Sequence, residues 1–306
     1  MMKKYLVALF LLAGQAFAQE RMDLWPVGQM PNSKGLEVKD SIANERIYQV
    51  GKPRIQAFFT SQQENKGAAV LIIPGGGYAR LAYDISGYQL AKWFNTMGIH
   101  AFVLDHRLPH SPDLKVRHLG PIQDAQRAIR LIRSHAAQWG IDPHKIGVMG
   151  SSAGGHLAAT VSTYPEDVSA IEGDMLSQLS YLPDFQILVS PVIDMGEYAH
   201  RGSRDMLLGE QPSQALVDTF SVQKQVTEQT PPAFIMNAFN DRTVPPINSI
   251  LYMEALLKKK VPSTLHIFPQ GGHALALRNN PGSANEWVKI CEEWLIEQKI
   301  IDRYKP

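Results

Sequence analysis

Residues 147–159 read GVMGSSAGGHLAA, two adjacent serines inside a run of glycines. Only one frame fits G-x-S-x-G: Gly150-Ser151-Ser152-Ala153-Gly154, centred on Ser152. Shifting by one residue puts Met149 and Ala153 where glycines belong. The pattern describes a sharp strand-to-helix turn in which the central serine sits in strained backbone and Cβ atoms two residues to either side would collide. The flanks agree. Lys145–Gly150 (KIGVMG) reads as a short buried strand, and Gly155–Ser162 (GHLAATVS) can open a helix directly after the turn. Ser152 is thus a candidate nucleophile. Glycine-serine runs also make ordinary tight turns, so the rest of the chain has to decide.

Outward from this stretch, short apolar runs alternate with longer helical patterns, the signature of βαβ units and a mostly parallel sheet. The spacing predicts strands at Ala68–Ile73, His100–Leu104, Lys145–Met149, Phe185–Ser190, Ala233–Ala238 and Thr264–Phe268. Helices are predicted near Ser86–Met97, Pro121–Trp139, Ala153–Thr163, Ile247–Lys259 and Ala284–Glu297. Runs such as VLII, AFVL and ILV suit strands buried on both faces, and Ile122, Ala125, Ile129 and Ile132 form one helical stripe. The fold class is α/β, a sheet flanked by helices on both faces. Before it, Arg46–Val50 and Arg54–Thr60, broken by Gly51-Lys52-Pro53, read as an antiparallel hairpin at the N-terminal edge. Two insertions, Tyr164–Asp184 and Asp194–Pro231, are too long for plain connections and are expected to arch over one end of the sheet.

In open α/β sheets, chemistry gathers at the carboxyl ends of the strands. After Ala68–Ile73 comes Pro74-Gly75-Gly76-Gly77-Tyr78, whose free N–H groups can face a developing oxyanion, a role also open to the Ala153 amide. A phosphate loop is the alternative, but it lacks its pattern: no GK[ST] ending follows, and Arg80 stands where G-x-G-x-x-G needs its last glycine, so the oxyanion reading is favoured given Ser152. Asp241 follows Ala233–Ala238 within FNDRTVP, and His273 follows Thr264–Phe268 within PQGGH. A serine alcohol needs an imidazole base, and the imidazole needs a carboxylate to fix its tautomer. Ser152, His273 and Asp241 supply those three groups. Asp194, which also follows a strand, is the rival acid.

The segments IIPGGGY, GSSAGGHLA, NAFNDRTVP and HIFPQGGHAL together resemble the α/β-hydrolase superfamily, in particular its exported carbohydrate acetyl esterases and related acetylxylan or feruloyl esterases. The likeness runs from about residue 50 to the C-terminus. It implies an α/β-hydrolase fold, Ser152, Asp241 and His273 as catalytic triad, and Gly75 or Gly76 with Ala153 as oxyanion donors, with no cofactor. One departure stands out: Pro74 occupies the position where many esterases of the hormone-sensitive-lipase type carry histidine. The implied activity is hydrolysis of short-chain, acetyl-type esters on a small molecule or polysaccharide through an acyl-enzyme. Serine peptidases of the prolyl-oligopeptidase kind share the triad order but usually add a propeller, and a non-catalytic binding protein could keep the fold.

The other readings are narrower. Residues 1–18 (MMKKYLVALFLLAGQAFA) show two lysines, an apolar run and a small-x-small site, the pattern of a signal peptide cut after Ala18. That predicts a secreted or periplasmic protein whose residues 19–306 form one domain with no membrane span. Losing Lys3 and Lys4 would turn the formal charge from +1 to −1. Without a basic stripe, nucleic acid is not an expected partner. The single cysteine, Cys291, admits no intramolecular disulfide and reads as a buried thiol. His106, His110 and His118 lack any metal-ligand spacing, so no metal is expected. His156 is expected to be packed rather than to act as the base. Tyr78 and Tyr83 are candidates to line an acyl pocket. In HRGSRDMLLG (200–209), Arg204 is a candidate clamp for an acidic sugar substituent, against a plainer reading as a solvated turn and packing helix.

Overall fold

The apolar runs become strands buried on both faces. The computed structural model describes residues 20–273 and 275–303; the expected signal peptide and its cut after Ala18 lie outside them. Among the described residues ten strands form: β1 (Glu20–Asp23), β2 (Ser41–Ala43), β3 (Arg46–Gln49), β4 (Arg54–Phe58), β5 (Ala68–Ile73), β6 (Ile99–Asp105), β7 (Ile146–Ser151), β8 (Gln186–Val189), β9 (Ala233–Ala238) and β10 (Thr264–Phe268). Eight of them make one sheet in the order β1-β4-β6-β5-β7-β8-β9-β10. From β6 to β10 every pair is parallel, while β4 runs antiparallel to both β1 and β6.

Alternation along each strand feeds two cores. Ala69, Leu71 and Ile73 of β5 join one cluster and Ala68, Val70 and Ile72 the other. The helices are α1 (Gln89–Thr96), α2 (Leu119–Ser134), α3 (Ala136–Trp139), α4 (Ala153–Thr163), α5 (Arg201–Leu208), α6 (Gln214–Phe220), α7 (Ile247–Lys258) and α8 (Trp287–Glu297). α2, α4 and α7 cover the first face through Ile122, Ile129, Leu157 and Tyr252; α1 and α8 cover the second through Leu90, Phe94, Trp287 and Trp294. Cys291 is fully buried there, and burial pushes its thiol up, so it stays protonated. The predicted Pro121–Trp139 helix is in fact α2 and α3, separated at His135 and ended by Gly140 in the left-handed region at φ 66°.

The antiparallel hairpin exists with partners one strand earlier than predicted. β3 pairs with β2 across Asn44-Glu45, both at positive φ (49° and 57°), as a two-residue hairpin turn requires. β4 instead enters the main sheet, where the buried Ile55, Ala57 and Phe58 find cover. The insertions also part company. Residues 164–184 lie along α2, held by Arg127 to Asp174, Arg130 to Asp167 and Arg133 to Asp184. They join the end of α4 to the start of β8, so they sit away from the carboxyl edge. Only the second insertion, carrying α5 and α6, roofs that edge. Among the described residues, no helix is long and apolar enough to cross a membrane.

Candidate active site

β7 ends at Ser151 and α4 begins at Ala153, leaving Ser152 between them at φ 56° and ψ −122°. A non-glycine residue in such a conformation stores about 1–3 kcal/mol. The turn is kept by bonds on both sides: the Ser152 amide donates to the Val189 carbonyl at 3.0 Å, and its own carbonyl accepts from His156 and Val192. The glycines are sterically obligatory. A Cβ on Gly150 would lie 2.1 Å from the Gly154 carbonyl oxygen, and one on Gly154 would lie 2.2 Å from that of Ile73.

Two loops from adjacent strand ends meet the serine. After β9, Asp241 Oδ1 accepts from the amides of Thr243 and Val244, both at 2.9 Å, an Asx-type turn that leaves Oδ2 free. After β10, Asn240 Oδ1 takes the Gly272 amide at 2.9 Å and so ties the histidine loop to the aspartate loop. His273 Nδ1 lies 2.8 Å from Asp241 Oδ2, and its Nε2 lies 2.8 Å from Ser152 Oγ. The carboxylate only accepts, so Nδ1 carries the proton and Nε2 accepts from the serine hydroxyl. The Asp241 side chain has no exposure and that of His273 has 22%. The geometry is that of a nucleophile, a base and an orienting acid.

Asp194, the rival acid, is spent elsewhere: its carboxylate accepts from Tyr198 N, Ser221 Oγ and Gln223 Nε2. The glycine loop departs from expectation at one residue. The Gly75 amide already donates to Ser86 Oγ at 3.1 Å, and that hydroxyl donates in turn to the Ala82 carbonyl. Gly75 therefore cannot serve as an oxyanion donor without breaking this bond. Among the described residues, the amides of Gly76, Gly77 and Ala153 make no hydrogen bond. Of the three loop glycines open to that role, Gly76 and Gly77 remain, together with Ala153. Gly76 stands at φ 143°, and a Cβ there would lie 2.0 Å from the Arg80 carbonyl oxygen.

The family profile BD-FAE matches residues 55–256, which include both Ser152 and Asp241. The chain belongs to the BD-FAE family. Over 215 residues this BD-FAE chain is 37% identical to the endo-1,4-beta-xylanase B of Butyrivibrio fibrisolvens, covering 70% of itself and 33% of that protein. Over 250 residues it is 36% identical to the acetylxylan esterase of Xylanibacter ruminicola, covering 80% and 47%. The chain thus spans about a third and about half of these curated relatives. Among solved structures, the acetyl ester-xyloside bifunctional hydrolase of Caldicellulosiruptor lactoaceticus matches with TM-score 0.78 and 35% identity, covering 92% of this chain and 97% of that one. The sheet and the flanking helices are the α/β-hydrolase fold.

The BD-FAE chain opens a cleft of about 480 Å3 above Ser152 and His273, walled on its apolar side by Ile85, Leu90, Met206, Leu275 and Leu277. Three predicted substrate contacts are not in it. Tyr78 is buried, its hydroxyl 2.7 Å from His156 Nδ1. His156 Nε2 faces the Phe220 carbonyl at 2.8 Å, so Nε2 carries the proton, and burial lowers this ring to about 4. His156 is thus packed, as expected, and Tyr78 packs with it. Tyr83 stacks edge-on against Tyr88 outside the cleft. Arg204 faces a different hollow with Asp194 and Glu197, because on α5 Gly202 and Met206, four residues apart, take the cleft side.

His200 was not singled out from the sequence and does line the cleft. Its Nδ1 accepts from the Ser203 amide at 3.2 Å and lies 2.8 Å from Ser203 Oγ, capping α5. In the neutral ring the proton then sits on Nε2. Burial first, and then the nearby His273, lowers its affinity for a proton, against an opposing pull from Asp241. Among the described residues, no group of three or more His, Cys, Asp or Glu is arranged to hold a metal ion.

Proposed function

We propose that this protein is a carboxylic ester hydrolase of the serine type that removes short acyl groups, acetyl above all, from carbohydrate. The observation that carries the reading is the unbroken relay Asp241–His273–Ser152, with both contacts at 2.8 Å. Relatives named acetylxylan esterase and acetyl ester-xyloside hydrolase support the acyl group and the sugar. Ser152 Oγ attacks the ester carbonyl while His273 Nε2 takes its proton. The resulting oxyanion is met by the Ala153 amide and by Gly76 or Gly77. His273 then protonates the departing sugar hydroxyl as the acyl–oxygen bond breaks. Water, deprotonated by the same histidine, releases the acid and restores Ser152. Loss of one oxyanion donor typically costs about 2.7–4 kcal/mol of barrier, which makes the free amides above Ser152 as necessary as the relay.

The reading extends to the cell. Residues 19–306 work as one domain after export, with the leader removed after Ala18; N-terminal sequencing of the protein recovered from periplasm or medium should begin at Gln19. The activity is tested by acetate release from acetylated xylan and from acetyl, butyryl and feruloyl esters. Acetyl esters should be cleaved fastest, and failure to cleave any of the panel overturns the proposal.

A further inference from the structure

The cleft is lined by two cations, Arg46 and Arg80, with no anion beside them among the described residues. An isolated antiparallel bridge pairs Ile47 with Leu81, and both residues are buried. Alternation turns their neighbours the other way, so Arg46, Arg80 and Ala82 all line the cleft. Arg46 and Arg80 thus each adjoin one member of the bridged pair and line the same cleft. Among the described residues, the lining contains no aspartate or glutamate. Arg46 donates one hydrogen bond, to the carbonyl of the adjacent Glu45. Among the described residues, neither guanidinium forms a salt bridge, whereas Arg54, Arg107, Arg127, Arg130 and Arg133 each have a carboxylate partner.

Arg80 is exposed and Arg46 half-buried, so both guanidinium groups are reachable from solvent, and the planar fork of each matches a carboxylate. Resting on the ester-hydrolase reading, we propose that Arg46 and Arg80 bind a carboxylate carried by the substrate, so that the preferred ester sits on a saccharide bearing a uronic acid. Arg204, the candidate clamp set against a plainer reading, lines another hollow. The chemistry expected of it falls to two arginines from a different part of the chain. The arrangement places the positive field at the mouth of the cleft, where it attracts an anionic saccharide before the apolar floor engages the acyl group.

The test needs two readouts, so that its failure is separable from failure of the esterase reading. The first is the affinity of a deacetylated, glucuronic-acid-branched xylo-oligosaccharide for the wild type, measured by calorimetry and independent of turnover. The second is the ratio of kcat/KM for acetylated oligosaccharides with and without that branch. The wild type should bind the branched oligosaccharide about tenfold more tightly than the Arg46→Gln/Arg80→Gln double variant and prefer the branched ester by a similar factor. The Arg46→Lys/Arg80→Lys double variant should recover part of both. The difference should vanish between about 0.01 M and 1 M salt, as the screening length falls from roughly 30 Å to 3 Å. Equal affinity and equal ratio in wild type and the glutamine variant overturn the arginine proposal even if acetate is released. Binding that follows the arginines in a protein that cleaves no ester would instead overturn the esterase reading, and with it the preferred ester, while upholding Arg46 and Arg80 as the carboxylate-binding pair.

Discussion

Asp241 and Asp194 stand beyond the ends of adjacent strands, β9 and β8, and both carboxylates are buried. They do different work because of what their loops offer them. Asp241 satisfies one oxygen with two amides of its own turn and presents the other to His273. Asp194 spends its oxygens on Tyr198, Ser221 and Gln223, fastening the start of the second insertion to its far side. The same division recurs nearby: His273 reaches Ser152, while His156, one turn into α4, is locked between Tyr78 and Phe220. Residue type and strand-end position therefore nominate candidates at this edge, and the spare hydrogen-bonding capacity of each side chain chooses among them.

The widest expected gap between the two acids is in turnover. Asp241→Asn should lower kcat on p-nitrophenyl acetate by about 10⁴, as loss of the orienting acid does in serine hydrolases, and Asp194→Asn by no more than a few-fold. A loss confined to Asp194→Asn would reverse the assignment. Next comes the histidine pair. His156 is held neutral with its proton affinity lowered to about 4, against about 6.5 in the unfolded chain. As pH falls through 6.5 the unfolded state takes up a proton that the folded state refuses, so stability declines between roughly pH 6.5 and 4 and levels below. The full effect is on the order of 3 kcal/mol. Comparing urea midpoints of wild type and His156→Gln across that range isolates it, since the opposite contribution of Asp105, whose carboxyl burial raises to about 6, is common to both. Parallel curves would contradict the buried neutral ring.

Smaller still is the structural cost of the rival acid. Asp194→Ala strands two donors, Tyr198 N and Gln223 Nε2, while Ser221 Oγ keeps the Val217 carbonyl, and should cost about 1–3 kcal/mol of stability, read from denaturant midpoints, with catalysis largely intact in the folded fraction. Unchanged stability would remove Asp194's role as a fastener. Last, Ser151→Ala should change turnover by no more than a few-fold, although Ser151 directly precedes Ser152 and also lines the cleft.

What the sequence disclosed, and what it hid, follows the same physics. VLII, AFVL and ILV were readable as central strands because burial on both faces removes polar residues from the run. The glycines around Ser152 were readable because the turn admits no Cβ at Gly150 and Gly154. Edge features were harder. β1 lies in an irregular lead with three of its four residues exposed, so it carries little apolar pattern, and the hairpin partner depended on the positive φ of Asn44 and Glu45. Side-chain direction was hidden as well. Tyr78 adjoins the glycine loop yet turns into the core, Arg204 lies on the wrong face of a short helix, and Gly75 is consumed by Ser86, eleven residues downstream. His200 could have been suspected from its place just before an α5-type apolar pattern, as an N-cap, but its access to the cleft comes from the path of the second insertion.

The most direct measurement is covalent labelling of the intact protein with a fluorophosphonate, followed by peptide mapping. The account predicts one label per chain, on Ser152, lost in Ser152→Ala, greatly slowed in His273→Ala and retained in Ser151→Ala. Stoichiometric labelling that persists in Ser152→Ala, or a label mapped to Ser151, would contradict it.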